Sequence, residues 1–528
     1  MLSAIRLPDE TRRCFVLGLA GSTALAGGGL AAGALPVRDT LAPALGLSDL
    51  RQHQSAGLVC AYFGLALLVA AWWRLGRAVR GGDPPSPRGL LLVLAAWALP
   101  LVAMPPLFSR DVYSYLAQGA MVTAGLDVYT AGPSAMGGPL LAEVPAIWQH
   151  TPTPYGPAFL SLAAGVSGFA STDVPLGVFG MRAVALAGVV LLIGCLPRLA
   201  RACGVDPAAA LWLGALNPLV LLHLVSGAHN DAVMLGLLIA GLTAAAASRF
   251  AVATVLITLA CLVKAPAALG LVVVVWLWQR ALRHPAGSPA SPVGSSRPAN
   301  QPSPPGSPAE PRPGRPAAAR RTATPRALAL TAGLAAATTA LVTAVTGTGY
   351  GWVRSLTTPI STHNWSLSST VGRITRNLLE AAGSDLAASA IPAWRWIGLV
   401  AAAAATLLAW HHRRRLGLVY ALGLSLTALA LLGPALRPWY LLWGLVPIAA
   451  AAPPNGRVRR WTALACLALT VTVFPSGFTP SAGELAAAVA GALLAVPVVF
   501  LFTSDIAFTS DIAPAPVHPY RGTEPAAW

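Results

Sequence analysis

Only 18 of the 528 residues are Asp or Glu, and Asp111 stands where a carboxylate could do chemistry. It lies in the run F-S-R-D-V-Y-S-Y-L-A-Q-G over 108–119, where a long apolar stretch ends. Ser109 can cap a helix on which Asp111, Tyr115 and Gln118 recur at i, i+4 and i+7 and so share a face. A carboxylate in that setting can be a general base, a metal ligand, or an ordinary cap and ion-pair partner. Many of the other acids lie in termini or basic loops, where pairing accounts for them. Asp111 instead borders a loop of prolines, glycines and aromatics that runs through Asp127, Tyr129, Glu143, Trp148, Gln149 and His150 to Thr153-Pro154-Tyr155-Gly156-Pro157.

Tyr, Trp, Asn, Gln and His suit sugar recognition, because rings stack on pyranose faces while amides and carboxylates bond hydroxyls. Interfacial aromatics also anchor membrane proteins, so Tyr113, Tyr129 or Trp148 taken singly says little. The cluster with Tyr115 and Gln118 says more. His229-Asn230-Asp231 separates two apolar runs and could bind a phosphate or sugar hydroxyls; an Asn or Asp cap for the next helix is the competing reading. The only lysine, Lys264, interrupts a long apolar run at Lys264-Ala265-Pro266. An ionisable group there is costly and implies a function with a partner to name, unless its head snorkels to solvent. Arg437-Pro438-Trp439-Tyr440 offers a guanidinium and two rings, and Arg437 with Lys264 would suit a phosphate clamp. Arg110 and His229 are further phosphate candidates. His363-Asn364-Trp365, in a Ser/Thr-rich loop, is the candidate acceptor contact there.

The elements that must position these residues are membrane helices. Of the chain 55% is hydrophobic and only 10% charged, with mean hydropathy +0.66. That is far below the roughly 25% charge of soluble proteins and excludes a soluble multidomain enzyme. Apolar runs recur at 14–34, 56–73, 89–107, 176–196, 207–226, 232–248, 250–281, 327–346, 391–410, 416–435, 439–452, 461–475 and 483–503. A bilayer crossing takes about 20 residues. The run 250–281 is too long for one crossing and should break at Lys264. The weaker run 158–170 reads as re-entrant or interfacial. Asn217-Pro218 should kink its span, with Asn217 bonding the freed carbonyl. The net charge of +17 resides in arginines of short loops, so topology rather than nucleic acid explains it. The six cysteines are scattered, without paired metal spacing, and read as small buried hydrophobes.

Arginines mark the loops at 74–88, 198–201, 413–415 and 457–460 and the segment 283–326 as cytoplasmic. The outer side then receives 108–157, His229 to Asp231, Lys264, 347–390 and Arg437 to Tyr440. The expectation is an all-α polytopic plasma-membrane protein with about 13–14 transmembrane helices, both termini cytoplasmic and an extracytoplasmic site. Its first half spans 1–282 and its second 327–503. The intervening 283–326 has seven arginines, twelve prolines and one acid, Glu310, which reads as a disordered linker. The tail 504–528 reads as disordered too, after a tandem F-T-S-D-I-A repeat over 502–513.

No Walker loop, G-x-G-x-x-G before a strand, D-x-D, H-E-x-x-H or C-x-x-C is present, which weighs against ATP-driven transport and metal-dependent nucleotide-sugar chemistry. S-R-D-V-Y-S-Y-x-A-Q-G, P-T-P-Y-G-P, H-N-D, K-x-P and R-P-W-Y together resemble the actinobacterial polyprenol-phosphate-mannose-dependent α-(1→6)-mannosyltransferases. Those are GT-C-type membrane glycosyltransferases of lipomannan and lipoarabinomannan assembly, and the resemblance covers about 100–450. It implies a GT-C-like helical bundle, a polyprenyl-phosphate mannose donor, an α-mannan glycolipid acceptor, an external active site and a catalytic acid that maps onto Asp111. No cofactor or metal is expected, since cations can hold a monophosphate leaving group. The rivals are a transferase of another polyprenyl-phosphate sugar and a lipid-linked sugar flippase.

Overall fold

A computed structural model describes residues 7–36, 48–283, 317–357, 366–453, 456–477 and 480–503. The described residues form helices and no strand, with one isolated bridge between Phe474 and Gly477. The helices used below are α1 (Asp9–Ala32), α2 (Gln54–Ala78), α3 (Pro87–Ala103), α4 (Asp111–Thr123), α5 (Pro157–Ala170), α6 (Val174–Ala202) and α7 (Pro207–Gly214). They continue with α8 (Asp231–Ala246), α9 (Phe250–Val263), α10 (Gly270–Arg283), α11 (Ala317–Thr346) and α12 (Leu367–Ala381). The last are α13 (Ala387–His411), α14 (Leu418–Leu432), α15 (Leu441–Ala451), α16 (Gly456–Thr470) and α17 (Ala482–Thr503).

Seven described helices, or eight if a bent pair counts as one span, are long and apolar enough to cross a bilayer. The seven are α1, α2 with the turn from Ser48, α6, α10 with the preceding turn from Ala265, α11, α13 and α17. Helices α3, α5, α9, α14 and Pro438–Ala451 are apolar but shorter. The expected all-α polytopic architecture is therefore present, although several expected crossings are short or broken helices. Close packing rests on small residues, as lipid offers no hydrophobic contrast to drive helix association. A Cβ at Gly28 would overlap the Gly57 carbonyl across the α1–α2 contact, and one at Gly188 would overlap Ala232 across α6–α8. Trp72 and Trp212 stack at 5.2 Å, and each indole N–H donates to the other's carbonyl, at 3.1 and 2.9 Å.

Both expected breaks occur. Lys264 ends α9 in an extended conformation, and a 3-10 turn over Ala265–Leu269 leads into α10. Asn217 Nδ2 donates to the Leu213 carbonyl at 2.9 Å, so the run 207–226 is α7 followed by a π-helical turn over Val220–Ser226. That turn meets α8 at 107°. Arg182, buried on α6, pins the bend by donating to the carbonyls of Val102 and Ser226, at 2.8 and 3.0 Å.

Three boundaries differ from expectation. The segment 283–326 was expected to be linker throughout, yet α11 begins at Ala317 and carries Pro325 inside it. The alanines over 317–319 favour helix more than the flanking prolines oppose it. The loop 347–390 contains α12, whose exposed Leu367, Val371, Ile374 and Leu378 recur along one side; that spacing makes an amphipathic helix. The loop 108–157, expected to carry one helix from Asp111, holds that helix as α4 and also short helical turns over Gly138–Glu143 and Ala146–Gln149. The tail 504–528 lies outside the described residues.

Candidate active site

The path to the site starts with strain. Phe108, buried, has φ +65°, and Ala228 has φ +51°. Left-handed backbone at a non-glycine residue costs about 1–3 kcal/mol and persists where the surroundings over-determine it. Phe108 turns the chain out of the α3 exit into α4, and Ala228 turns it into His229-Asn230-Asp231. Ser109 Oγ accepts from the Asp111 N–H at 3.1 Å, as its position in the sequence suggests. Asp111, Ser114, Tyr115 and Gln118 then form one face of α4 and line one wall of a cavity of about 740 Å³.

Lys264, Arg437, Tyr155, Trp439, Tyr440 and Trp443 line the same cavity. Segments separated by as much as 332 positions, Asp111 to Trp443, thus meet in one lining, and the Asp111 side chain is 23% exposed. Gly156 permits one of these approaches, because a Cβ there would overlap the Leu262 carbonyl two residues before Lys264. The lining also includes apolar residues, among them Leu399, Ala402 and Ala403 from α13 and Leu429 from α14.

Burial pushes the Asp111 carboxyl above the ordinary carboxylate range, while Arg437 and then Lys264 pull it back. Behind Asp111, His229 Nδ1 lies 3.6 Å from Oδ2 and 3.3 Å from the Tyr115 hydroxyl. The His229 ring stacks on Trp439 with centroids 3.9 Å apart. His229 is fully buried, so it buttresses the carboxylate.

Lys264 Nζ contacts Asp231 Oδ2 at 2.7 Å, and Trp443 Nε1 donates to Asp231 Oδ1 at 2.6 Å. Asp231 is fully buried, and Lys264 is 12% exposed with its ammonium 4.8 Å from the Tyr440 ring centroid. Lys264, read from the sequence as needing a partner or else snorkelling to solvent, is thus half of an internal ion pair with Asp231. Uncompensated charge at this depth is too costly to leave alone. An ammonium has three donors, so Lys264 keeps capacity toward the cavity it lines. Arg437 lies 5.9 Å from the Trp148 ring centroid.

Several expected contacts fall elsewhere. Arg110 does not line the cavity, because its guanidinium donates to the Leu35 carbonyl at 2.8 Å. Tyr113 points the same way, its hydroxyl donating to the Ala34 carbonyl at 2.7 Å. His229 and Asp231 sit one layer behind the lining and touch Asp111 and Lys264 instead of open space. Asn230 is buried away from the cavity; it occupies the N-cap position of α8 without a side-chain capping bond. His363, Asn364 and Trp365 lie outside the described residues. Trp443 and Ser114 were not singled out in the sequence. Trp443 carried a signal, an aromatic one helical turn after Trp439, whereas a lone serine carried none.

A helical membrane enzyme, with one carboxylate and two cations in the lining of a partly apolar cavity, is the class that fold and site define. Residues 15–280 match the family described as alpha-(1→6)-mannopyranosyltransferase, N-terminal domain, and residues 368–501 match the MptB C-terminal domain. The chain is 34% identical over 465 residues to alpha-(1→6)-mannopyranosyltransferase A of Mycobacterium tuberculosis, covering 87% of this chain and 83% of the relative. It is 30% identical over 478 residues to alpha-(1→6)-mannopyranosyltransferase B of Corynebacterium glutamicum, covering 84% and 74%. No solved structure matches. The chain belongs to the alpha-(1→6)-mannopyranosyltransferase family and is a glycosyltransferase.

Proposed function

We propose that this mannosyltransferase moves mannose from polyprenyl-phosphate mannose to the 6-hydroxyl of an α-mannan glycolipid, at the outer face of the plasma membrane. The observation that carries the reading is the mixed lining of one cavity: Asp111 with Arg437 and Lys264 near enough to act on its charge, together with apolar side chains of α13 and α14. A lipid-linked sugar phosphate combines the same two kinds of surface, a charged polar group and a long apolar chain. The arginine-poor loops supply the outer orientation.

Asp111 takes the proton from the acceptor hydroxyl as its oxygen attacks the anomeric carbon. The bond from that carbon to the phosphate oxygen breaks, and its electron pair leaves with the phosphate. Arg437 and the remaining donors of Lys264 stabilise the charge developing there. Attack opposite the phosphate turns a β-linked donor into an α-linked product. General-base assistance contributes about 10²–10⁴-fold. Tyr155 and Tyr440 supply ring faces for sugar, with Trp439 buried beside them against His229, and Gln118 is held by Thr153, whose hydroxyl donates to Gln118 Oε1 at 3.0 Å.

The test is transfer by the purified full-length protein from polyprenyl-phosphate mannose to an α-(1→6)-mannoside. Formation of a new α-(1→6) bond is expected. Transfer of a different sugar in preference to mannose, or donor translocation without product, overturns the reading.

A further inference from the structure

A second cavity, of about 580 Å³, lies beside the first and takes no part in the proposed bond-forming step. One side is the turn after α4, with Asp127, Tyr129 and Thr130; the other is the turn after α11, with Thr346 and Tyr350. Gly125, Gly347 and Gly349, also in its lining, have φ of +71°, +70° and +71°. A Cβ at any of these three glycines would meet nothing within 4 Å, so bare backbone faces the space. Tyr350 is 57% exposed, which leaves its ring available to a ligand.

The polar groups are held in place. Asp127 Oδ1 accepts from the Tyr129 N–H and Oδ2 from the Thr130 hydroxyl, both at 2.9 Å. A carboxylate has about four acceptor positions, so Asp127 is fixed in direction and still able to accept from other hydroxyls. An exposed ring beside a fixed carboxylate, the Arg354 side chain, a threonine hydroxyl and bare peptide groups can stack on a hexose and bond its hydroxyls.

The two cavities share a wall. The Tyr129 hydroxyl donates to the Tyr155 carbonyl at 3.2 Å, and the Tyr155 ring lines the first cavity. The Thr153 N–H donates to the Val128 carbonyl at 3.0 Å, while its hydroxyl holds Gln118 in the first cavity. Helix α4 runs from Asp111 at one cavity to Val122 at the other, roughly 17 Å at 1.5 Å per residue. An oligosaccharide spans that separation; a single sugar does not.

We propose that the second cavity is a distal subsite for hexose units of the acceptor glycan, with Tyr350 as its stacking ring, so that longer acceptors are held better than short ones. The proposal rests on the acceptor being a mannan, as above. Its test uses the full-length protein in detergent without donor, and compares equilibrium binding of α-(1→6)-linked mannobiose and mannohexaose. Tyr350→Ala should weaken mannohexaose binding roughly three- to tenfold, the worth of one aromatic contact, and leave mannobiose unchanged. Tyr350→Phe should bind mannohexaose like the wild type. Equal weakening of both sugars, no weakening of either, loss in Tyr350→Phe equal to that in Tyr350→Ala, or no wild-type preference for the longer sugar overturns the proposal. Because no donor is present, these outcomes are separate from whether the protein transfers mannose.

Discussion

Asp111 lines the cavity and is backed by His229, at 3.6 Å from the imidazole that also meets the Tyr115 hydroxyl at 3.3 Å. In its proposed role as general base Asp111 acts when deprotonated, so transfer is expected to fall as pH drops through its pKa. Burial raises that pKa and Arg437 opposes the rise. The acid limb of the kcat/KM profile is therefore expected above the ordinary carboxylate range. Arg437→Gln should shift that limb to still higher pH and raise the donor KM; an unshifted limb would place Arg437 outside the electrostatics of the base. The sequence showed which face of its helix Asp111 shares, because helical spacing is local. It did not show that Arg110, the adjacent residue, turns away to the Leu35 carbonyl. That direction is set by a segment 75 positions distant.

At the scale of elements, the broken run 250–281 places a lysine beside α8, where Asp231 receives it. Removing one partner of a buried pair costs about 3–5 kcal/mol, whereas removing both charges is often nearly neutral. Lys264→Met alone should thus lower the thermal midpoint in detergent strongly. Lys264→Met with Asp231→Asn should recover most of the loss, since an amide oxygen still accepts from Trp443. Both variants should transfer poorly. Equal midpoints for wild type and the single variant would remove the pair from the stability of the fold. The break was legible, because Lys-Ala-Pro cannot continue an apolar helix without cost. The partner was not, because nothing in sequence spacing ties position 231 to position 264.

For the whole molecule, hydropathy and loop arginines were enough to anticipate a helical membrane protein and to gather Asp111, Lys264 and Arg437 at one end of it. The structure brings those three around one cavity with Tyr115, Gln118, Tyr155, Trp439 and Tyr440. What hydropathy could not convey was which polar residues face the cavity and which form the layer behind it. Asp231 and His229 belong to that second layer through contacts between helices far apart in sequence. Nor could it convey the apolar wall of α13, whose leucines and alanines look like those of any span.

The central claim, that Asp111 is the base serving a lipid-linked donor in this cavity, is tested most directly with Asp111→Asn, which keeps size and polarity while removing the basic oxygen. In the full-length protein, with polyprenyl-phosphate mannose and an α-(1→6)-mannoside acceptor, kcat should fall by about 10²–10⁴ with donor affinity little changed. A variant that transfers mannose at the wild-type rate would contradict the account.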